Sequence, residues 1–325
     1  MKTRRAVLRS GLLLALIVVP LSVVAQHSRV YRVGVVLHGG LYSKAIDGLR
    51  DGLKEVGLVE GKHFIFHVRD TKGDLKLVEA AAKALETEKV DVIYAVTTSV
   101  TVEVKRATKA VPIVFYAGRD PVAAGLVGSL SKPGGRLTGI YSQSVNLAAK
   151  RIQLLKEMIP GLRRVVMFYS PENPAAPNAL KVGREAARRL NVELIERPVR
   201  SVDELRAGLH ALRPGEADAF HSTDGLVVSQ TALVIEIANK KKLPTIFTSP
   251  HAASEGGLAG YGASDYAYGR LAAKNLERIL RGANPGNLPI EQFDRLHFIV
   301  NLKTAKALGL SIPQSVLARA DEVIQ

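Results

Sequence analysis

The feature that most constrains the fold of this chain is a series of short apolar runs that alternate with amphipathic segments. Each run has five to eight residues, and the segments between runs carry apolar residues at helical spacing. Strands that are apolar on both faces are typical of parallel sheets covered by helices on both sides. The pattern therefore predicts an α/β fold built from βαβ units. The runs lie at residues 31–37, 64–68, 90–96, 112–117, 164–169, 192–199, 217–221 and 244–248.

The series occurs twice, with a break at Pro133, Gly134 and Gly135. We interpret the repeat as two doubly wound parallel-sheet lobes, because 325 residues are enough for two domains with separate cores. Three segments are suited to carry the chain between the lobes and would form a three-segment hinge. The predicted crossings are residues 137–141, 260–264 and 283–289. The predicted N-terminal lobe comprises residues 29–138 and 263–285, and the C-terminal lobe residues 139–262 and 286–325.

The first 25 residues have the order of a secretory signal peptide. Four basic residues precede an apolar run at 11–24, and small residues follow at a cleavage site near Ala25. The run is shorter than the roughly 20 residues that span a bilayer, so a cleaved signal is favoured over an uncleaved anchor. Arg4 and Arg5 also resemble a twin-arginine signal, which leaves the export route open. The sequence predicts a periplasmic protein whose mature chain begins near Gln26.

Composition limits the classes of function. The net charge is +15, and the first 25 residues hold four basic and no acidic residues, so +11 remains after them. The basic residues are dispersed among acidic ones, which argues against nucleic-acid binding. The chain has no cysteine. A lipoprotein anchor, disulfides and thiolate metal sites are therefore excluded, and we predict a free protein, a monomer, without a cofactor.

Ligand-binding residues are expected where the parallel strands end, because loops there lead into helix N-termini. Thr97, Thr98 and Ser99 follow the run at 90–96 and precede a helical segment. Hydroxyl groups and free backbone N–H groups at a helix start suit an anion such as a carboxylate. The alternative is that Thr98 or Ser99 only caps the helix.

Two further loops carry charged candidates. Thr223 and Asp224 follow the run at 217–221, and Asp224 is suited to a ligand ammonium group, with helix capping as the alternative. Arg119 follows the run at 112–117 and could reach a carboxylate. In the same loop Asp120 and Pro121 are typical of a helix start.

Aromatic residues at strand ends complete the predicted site. Tyr42 lies in the loop after the first run, and Tyr169 ends the first run of the second series. Either could stack on a planar or apolar group of a ligand, or belong to a core. The sequence contains neither a phosphate-binding glycine loop nor a catalytic or metal-binding motif, so we predict that the protein is not an enzyme.

Several segments resemble one group of ABC-transporter substrate-binding proteins. The group has the type I periplasmic-binding fold and includes tryptophan- and tyrosine-binding members. The resemblance covers nearly the whole mature chain. It rests on residues 118–127, 133–139, 256–258, 261–262, 288–292, 301–310 and 320–324.

Two departures from the family pattern concern the loops. Arg136 stands where the family usually has Asn, and Thr97, Thr98 and Ser99 replace a more common Gly-Thr-Pro-like loop. Because the second change touches a position that resembles a ligand-carboxylate site, ligand identity cannot be transferred. By resemblance Asp224 matches the acidic residue suited to a ligand amino group.

The resemblance implies the solute-binding component of an ABC importer, which binds an amino acid or related organic acid between its lobes and docks on a permease with its ATPase. The alternative is an exported sensor that presents the same fold to a receptor. An exported hydrolase is a third class, but the sequence shows no residues that would catalyse hydrolysis. A repressor would need a DNA-reading motif at the N-terminus, where the signal peptide lies.

Overall fold

The computed structural model describes residues 29–325, and the predicted signal peptide lies outside them. Every apolar run named above coincides wholly or in part with a strand. The strands in this range are β1 (Tyr31–Leu37), β2 (Phe64–Asp70), β3 (Val92–Val96), β4 (Ile113–Ala117), β5 (Leu137–Tyr141), β6 (Arg164–Tyr169), β7 (Glu193–Pro198), β8 (Ala219–His221), β9 (Thr245–Phe247), β10 (Ala259–Gly262), β11 (Glu291–Gln292), β12 (His297–Asn301) and β13 (Glu322–Ile324).

The strands form two sheets, which confirms the predicted fold class of two α/β lobes. The six-stranded sheet has the order β11-β5-β4-β3-β1-β2, and the seven-stranded sheet has the order β13-β12-β10-β9-β8-β6-β7. Neighbouring strands are parallel except β10 and β12, which pair antiparallel. The strand order reverses beside β1 and beside β6, and ligands of open parallel sheets bind at such points.

Helices cover both faces of each sheet, as the apolar strands require. The helices of residues 29–325 are α1 (Lys44–Glu55), α2 (Lys76–Thr87), α3 (Thr98–Ala107), α4 (Ala148–Met158), α5 (Ala176–Arg189), α6 (Val202–Ala211), α7 (Gly225–Ser229), α8 (Thr231–Lys240), α9 (Asp265–Leu280), α10 (Leu302–Ala307) and α11 (Gln314–Leu317).

Each sheet has an apolar core on both of its faces. Val35 packs in the cluster that includes residues of α1 and α9, and its neighbour Val36 in the cluster of α2 and α3. In the second lobe Val165 belongs to the cluster with α4 and α5, and Val166 to the cluster with α6 and α8. Successive strand residues point to opposite faces, so the apolar runs are explained by burial on both sides.

The chain changes sheet at three places, and two of them differ from the prediction. β5 lies entirely in the six-stranded sheet, and β11 belongs to the same sheet. The first crossing therefore follows Tyr141 and the third follows Gln292, so the predicted boundaries at 138/139 and 285/286 fall inside the first lobe. Residues 283–289 pack on the first lobe instead, where Gly134 N donates to Gly286 O at 3.1 Å. The second crossing, at 263–264, agrees with the predicted boundary.

Arg151 of α4 ties two of these crossings together. Its guanidinium donates to Tyr261 O, before the second crossing, at 2.7 Å, and to Ser144 O, after the first, at 3.0 Å. The side chain is completely buried, and among residues 29–325 it forms no ion pair with a carboxylate. Burial lowers the pKa of Arg151 to about 10, which leaves the group charged at neutral pH.

Helix α9 is fixed to α1 by unusually close backbone contact. A Cβ atom added to Gly48 would lie 1.9 Å from Tyr266 O, and one added to Gly269 would lie 1.9 Å from Ala45 O. Only glycine permits such an approach. The contact holds the N-terminus of α9 against the first lobe, although the residues just before it come from the second sheet. In the described range no helix combines the length and apolarity needed to cross a membrane.

Candidate ligand-binding cleft

A cleft lies between the lobes where the strands of both sheets end. It encloses about 680 Å³ of space between atoms, including its open mouth. The first lobe supplies aromatic and charged side chains, and the second supplies mainly small polar ones. Its lining residues are Tyr42, Thr97, Thr98, Ser99, Tyr116, Gly118, Arg119, Ser144, Asn173, Ala175, Thr223, Gly225, Thr248, Ser249, Ala263, Asp265 and Tyr268.

Three tyrosines form an aromatic wall of the cleft. Tyr116 at the end of β4 and Tyr268 of α9 are stacked, with ring centroids 3.8 Å apart and an interplanar angle of 18°. Tyr42, in the short 3-10 helix after β1, is buried beside them in the same core cluster. Rings in this arrangement offer π faces and edges to a planar ligand group.

The N-terminus of α3 forms a polar end of the cleft. Thr98 Oγ1 accepts a hydrogen bond from Gly118 N at 3.1 Å, and Ser99 Oγ lies 3.3 Å from His38 Nε2. These hydroxyls are engaged within the protein, but neither of them caps α3, because the N-cap residue is Thr97. The backbone N–H groups of Thr98 and Ser99 have no acceptor among the hydrogen bonds of residues 29–325 and suit an anion.

Arg119 supplies a cation to the same end. It is half-buried, lines the cleft, and has no hydrogen bond or ion pair within residues 29–325. His38 adds no charge there, because burial lowers its pKa to about 4 and leaves the ring neutral at pH 7. Arg119 and the α3 N–H groups line the same cleft, and both are chemically suited to an anion.

Thr97 holds the start of α3 in a strained conformation. Its backbone has φ 91° and ψ 156°, a region that is essentially restricted to glycine, while its Oγ1 accepts weakly from Val100 N at 3.4 Å. Such strain costs about 1–3 kcal/mol.

Thr97→Gly is expected to stabilise the protein. Relief of the strain exceeds the loss of the weak cap and the greater backbone entropy of glycine in the unfolded chain, so the net gain is about 1 kcal/mol. Chemical denaturation of the ligand-free protein measures it. A variant that is less stable than the wild type would show that the cap outweighs the strain.

Asp265 is the acidic residue that faces the cleft. It is the first residue of α9 and is only 3% exposed. Burial raises the pKa of the Asp265 carboxyl to about 7, and the neighbouring hydroxyls of Ser249 and Tyr116 oppose part of the rise. The ion pairs of residues 29–325 include none to Asp265, so this carboxylate lacks a cationic partner in the described protein.

Asp224, which the sequence had suggested for a ligand ammonium, has another role. It caps α7, with Oδ1 accepting from Leu226 N at 3.0 Å and Oδ2 accepting from Asn173 Nδ2 at 2.9 Å. It lies in a small recess beside the cleft rather than on the cleft wall. Both oxygens are engaged, so the capping alternative describes Asp224. Its neighbour Thr223 does line the cleft, with a buried Oγ1 that has no partner among the described residues.

Tyr169 does not reach the cleft. Its side chain packs against a small apolar cluster of Met167, Ala179 and Leu180 on the outer face of the second lobe's sheet. The prediction that it contacts ligand does not agree with this position, because the side chain of the last residue of β6 turns toward α5. Tyr42, Thr97, Thr98, Ser99 and Thr223 are brought together as expected.

The lobes touch each other along the edge of the cleft. Gln230 Nε2 donates to Lys72 O at 3.2 Å, and Lys76 Nζ lies 3.3 Å from Glu172 Oε1. A Cβ atom on Gly40 would lie 2.1 Å from Ser229 O, so the backbones approach closely. The two lobes therefore lie close together at this edge of the cleft.

Sequence reasoning missed Asp265, Tyr116, Tyr268 and Ser249. Ser264 and Asp265 follow the small-residue strand β10 and precede a helix, which is the same signal that identified the other loops. Tyr116 ends a predicted strand. Tyr268 had no distinguishing signal, because one tyrosine at helical spacing is typical of a core position.

Comparisons with known proteins identify relatives of this chain. A curated relative, the tyrosine-binding protein of Clostridioides difficile, is 29% identical over 268 residues, covering 82% of this chain and 77% of the relative. A Streptococcus structure in complex with L-Trp is 25% identical, with a TM-score of 0.80, and covers 91% of this chain and 100% of its own.

A third relative has been solved in the ligand-free, open form. It is a Clostridium difficile substrate-binding protein with adhesive properties, 25% identical, with coverage of 91% of this chain and 100% of its own, and its TM-score is 0.58. The family model described as "ABC transporter substrate binding protein" matches residues 32–324. The fold, the cleft and these similarities agree with the resemblance in the sequence, and the chain belongs to the family of ABC-transporter substrate-binding proteins.

Proposed function

We propose that this protein is the periplasmic component of an ABC importer and that its ligand is an aromatic amino acid. The observation that carries the proposal is an interlobe cleft that combines a tyrosine wall with a positively charged end. The stacked rings of Tyr116 and Tyr268 line the cleft, and Arg119 with the α3 N-terminus offers donors for a carboxylate. The tyrosine- and tryptophan-binding relatives support the ligand class.

Lobe arrangement supports a binding cycle with an open and a closed form. At 25% identity in both cases, the chain superposes better on the L-Trp complex than on the ligand-free, open relative. A ligand favours the closed form only through its higher affinity for that form. In the proposed cycle the amino acid bridges both lobes, and the closed form docks on the permease.

A thermal-shift screen of the purified protein against the natural amino acids tests the ligand class. L-Tyr or L-Trp at 1 mM is expected to raise Tm, because a ligand that binds only the folded form stabilises it by mass action. Amino acids with small side chains should have little effect, because they leave the tyrosine wall uncovered. Absence of any shift with aromatic amino acids would refute the proposed ligand class.

Arg119→Met is expected to weaken binding of that amino acid by about 10- to 100-fold, because a hydrogen bond to a charged group contributes about 1.5–3 kcal/mol. Isothermal titration calorimetry measures the change. Arg106→Met is the matched control. Arg106 is exposed on α3 and pairs with Glu79 and Glu103, so its loss should leave affinity unchanged. Equal affinity of the Arg119→Met variant and wild type would contradict the carboxylate role.

Export and transport are tested in cells. The mature protein is expected in the periplasmic fraction with an N-terminus near Gln26. Deletion of its gene should reduce uptake of the labelled amino acid. Wild-type protein should restore uptake, and the Arg119→Met variant should not at low ligand concentration. Uptake that does not depend on the protein would contradict the importer role and would favour a sensor.

A further inference from the structure

The Asp265 carboxylate is a buried anion that faces the cleft. It is 3% exposed, and the ion pairs of residues 29–325 include no cation for it. Burial of an unpaired charge costs several kcal/mol, so natural proteins provide a partner or leave the group protonated. The neighbouring protein groups are hydroxyls of Ser249 and Tyr116, which do not supply a positive charge. The open side of the carboxylate is the cleft itself.

The position of this carboxylate is rigidly determined. Ser264 Oγ caps α9 by accepting from Ala267 N at 3.4 Å, and Gly269 locks the helix to α1. Arg119 lies after β4 on a different wall of the same cleft. The cleft therefore presents a fixed negative group, Asp265, and a positive group, Arg119, to one small ligand.

We propose that Asp265, and not Asp224, is the counter-ion of the ligand's ammonium group and makes the cleft select amines over the corresponding deaminated acids. This inference rests on the proposed function, because it assumes a ligand with a carboxylate and an aromatic side chain. Asp224 cannot take the role without breaking its bonds to Leu226 N and Asn173 Nδ2. Asp265 is hydrogen-bonded only to neutral groups, the hydroxyls of Ser249 and Tyr116 and its own backbone amide.

Proton linkage provides a second line of support. Asp265 has a pKa raised to about 7 in the empty cleft, and an ammonium partner would lower that pKa. Binding of the amino acid should therefore strengthen as pH rises from 5.5 to 8 and should release a proton near pH 6.5.

The other titratable groups around Asp265 do not produce the same pH dependence of ligand affinity. Those facing it are Tyr42, Tyr94, Tyr116 and Tyr268, and burial raises the pKa of each further above its usual range. His251 bonds Ser264 Oγ at 3.1 Å, and burial lowers its pKa.

The experiment measures the affinity of each of three proteins for each of two ligands. L-Trp and indole-3-propionate differ by the ammonium group, and the pair of L-Tyr and 3-(4-hydroxyphenyl)propionate serves if L-Tyr is the better ligand. The proteins are wild type, Asp265→Asn and Asp224→Asn. Wild type is expected to bind the amino acid at least 100-fold more tightly than the deaminated acid at pH 8.

Asp265→Asn should lose at least 100-fold in affinity for the amino acid and bind the deaminated acid as well as wild type or better. Asp224→Asn should keep the wild-type preference. Equal loss for both ligands would indicate a structural role and overturn the proposal. A selective loss of amino-acid affinity in Asp224→Asn instead of Asp265→Asn would also overturn the proposal. Failure of wild type to bind any aromatic amino acid would instead refute the proposed function.

The pH arm separates the carboxylate from the histidine. The affinity of wild type for L-Trp should rise with pH by up to tenfold per unit between 5.5 and 7, and the Asp265→Asn variant should show a flat profile. His251→Asn should keep the wild-type slope. A slope that disappears with His251→Asn and persists with Asp265→Asn would overturn the assignment.

Discussion

Asp265→Asn is expected to raise the Tm of the ligand-free protein at pH 8 while it weakens ligand binding. The raised pKa means that the folded state binds the Asp265 proton more tightly than the unfolded chain does. The contribution to stability is therefore complete below the unfolded pKa of about 3.8 and is lost as pH rises through about 7. Asparagine has the shape of the protonated carboxyl and does not ionise.

The expected size follows from the pKa difference. A change of about three units corresponds to about 4 kcal/mol at alkaline pH, or a Tm roughly 8 °C higher for the variant. Thermal unfolding without ligand at pH 5 and pH 8 measures it. The difference between variant and wild type should be about a third as large at pH 5 as at pH 8, because the loss of stability begins at the unfolded pKa of about 3.8. A residue that lowers stability where ligand is absent fits a binding site that trades stability for function.

Asp224→Asn is the matched control. The Asp224 carboxylate accepts from Leu226 N and Asn173 Nδ2, so replacement of one oxygen by an amide group removes an acceptor and should lower Tm at both pH values. The same Tm difference for Asp265→Asn at pH 5 and pH 8 would contradict the buried, unpaired state of Asp265.

Gly269→Ala is expected to destabilise the protein by about 3 kcal/mol. In an isolated helix the change would gain about 1 kcal/mol. Here the new Cβ would lie 1.9 Å from Ala45 O, a backbone atom that no rotamer change can move. Helices α1 and α9 must then separate and lose packing, which costs several kcal/mol. Urea unfolding measures the loss of stability.

Ligand affinity should fall in the same variant, because separation of α9 displaces Asp265 and Tyr268. The matched control is Gly183→Ala in α5, where the nearest atom to a new Cβ is the flexible Leu194 Cδ2 at 3.2 Å. That change should alter stability by less than 1 kcal/mol. Similar effects of the two substitutions would contradict the special role of the α1–α9 contact.

The strands and the two-lobe architecture follow from the local alternation of apolar runs and amphipathic segments. Each predicted apolar run coincides wholly or in part with a strand. Residues such as Val35 and Val36 are buried on opposite faces of the sheet, so successive positions of the strand must both be apolar. The lobe boundaries do not follow from local pattern. The two-residue strand β11 has no apolar run of its own, and it joins the first sheet through pairing with β5.

Loop position was enough to predict part of the cleft lining. Thr97, Thr98 and Ser99 line the cleft because parallel strands end at one edge, whatever the details of packing. Sequence position did not distinguish the two acids, because Asp224 caps α7, Asp265 is the first residue of α9, and both are buried. What distinguishes them is that Asp224 bonds Leu226 N and Asn173, whereas Asp265 faces open space.

The sequence by itself determined the fold class, the two lobes, the family and several of the loops that line the cleft, since each of these depends on residue periodicity and local motifs. Tertiary structure decided which side chains meet. Asp265 reaches a cleft with Arg119 and two stacked tyrosines because glycine-mediated packing brings α9, which follows the second sheet in sequence, onto α1 of the first lobe. Contacts over such distances along the chain arise from packing and leave no pattern in any short segment.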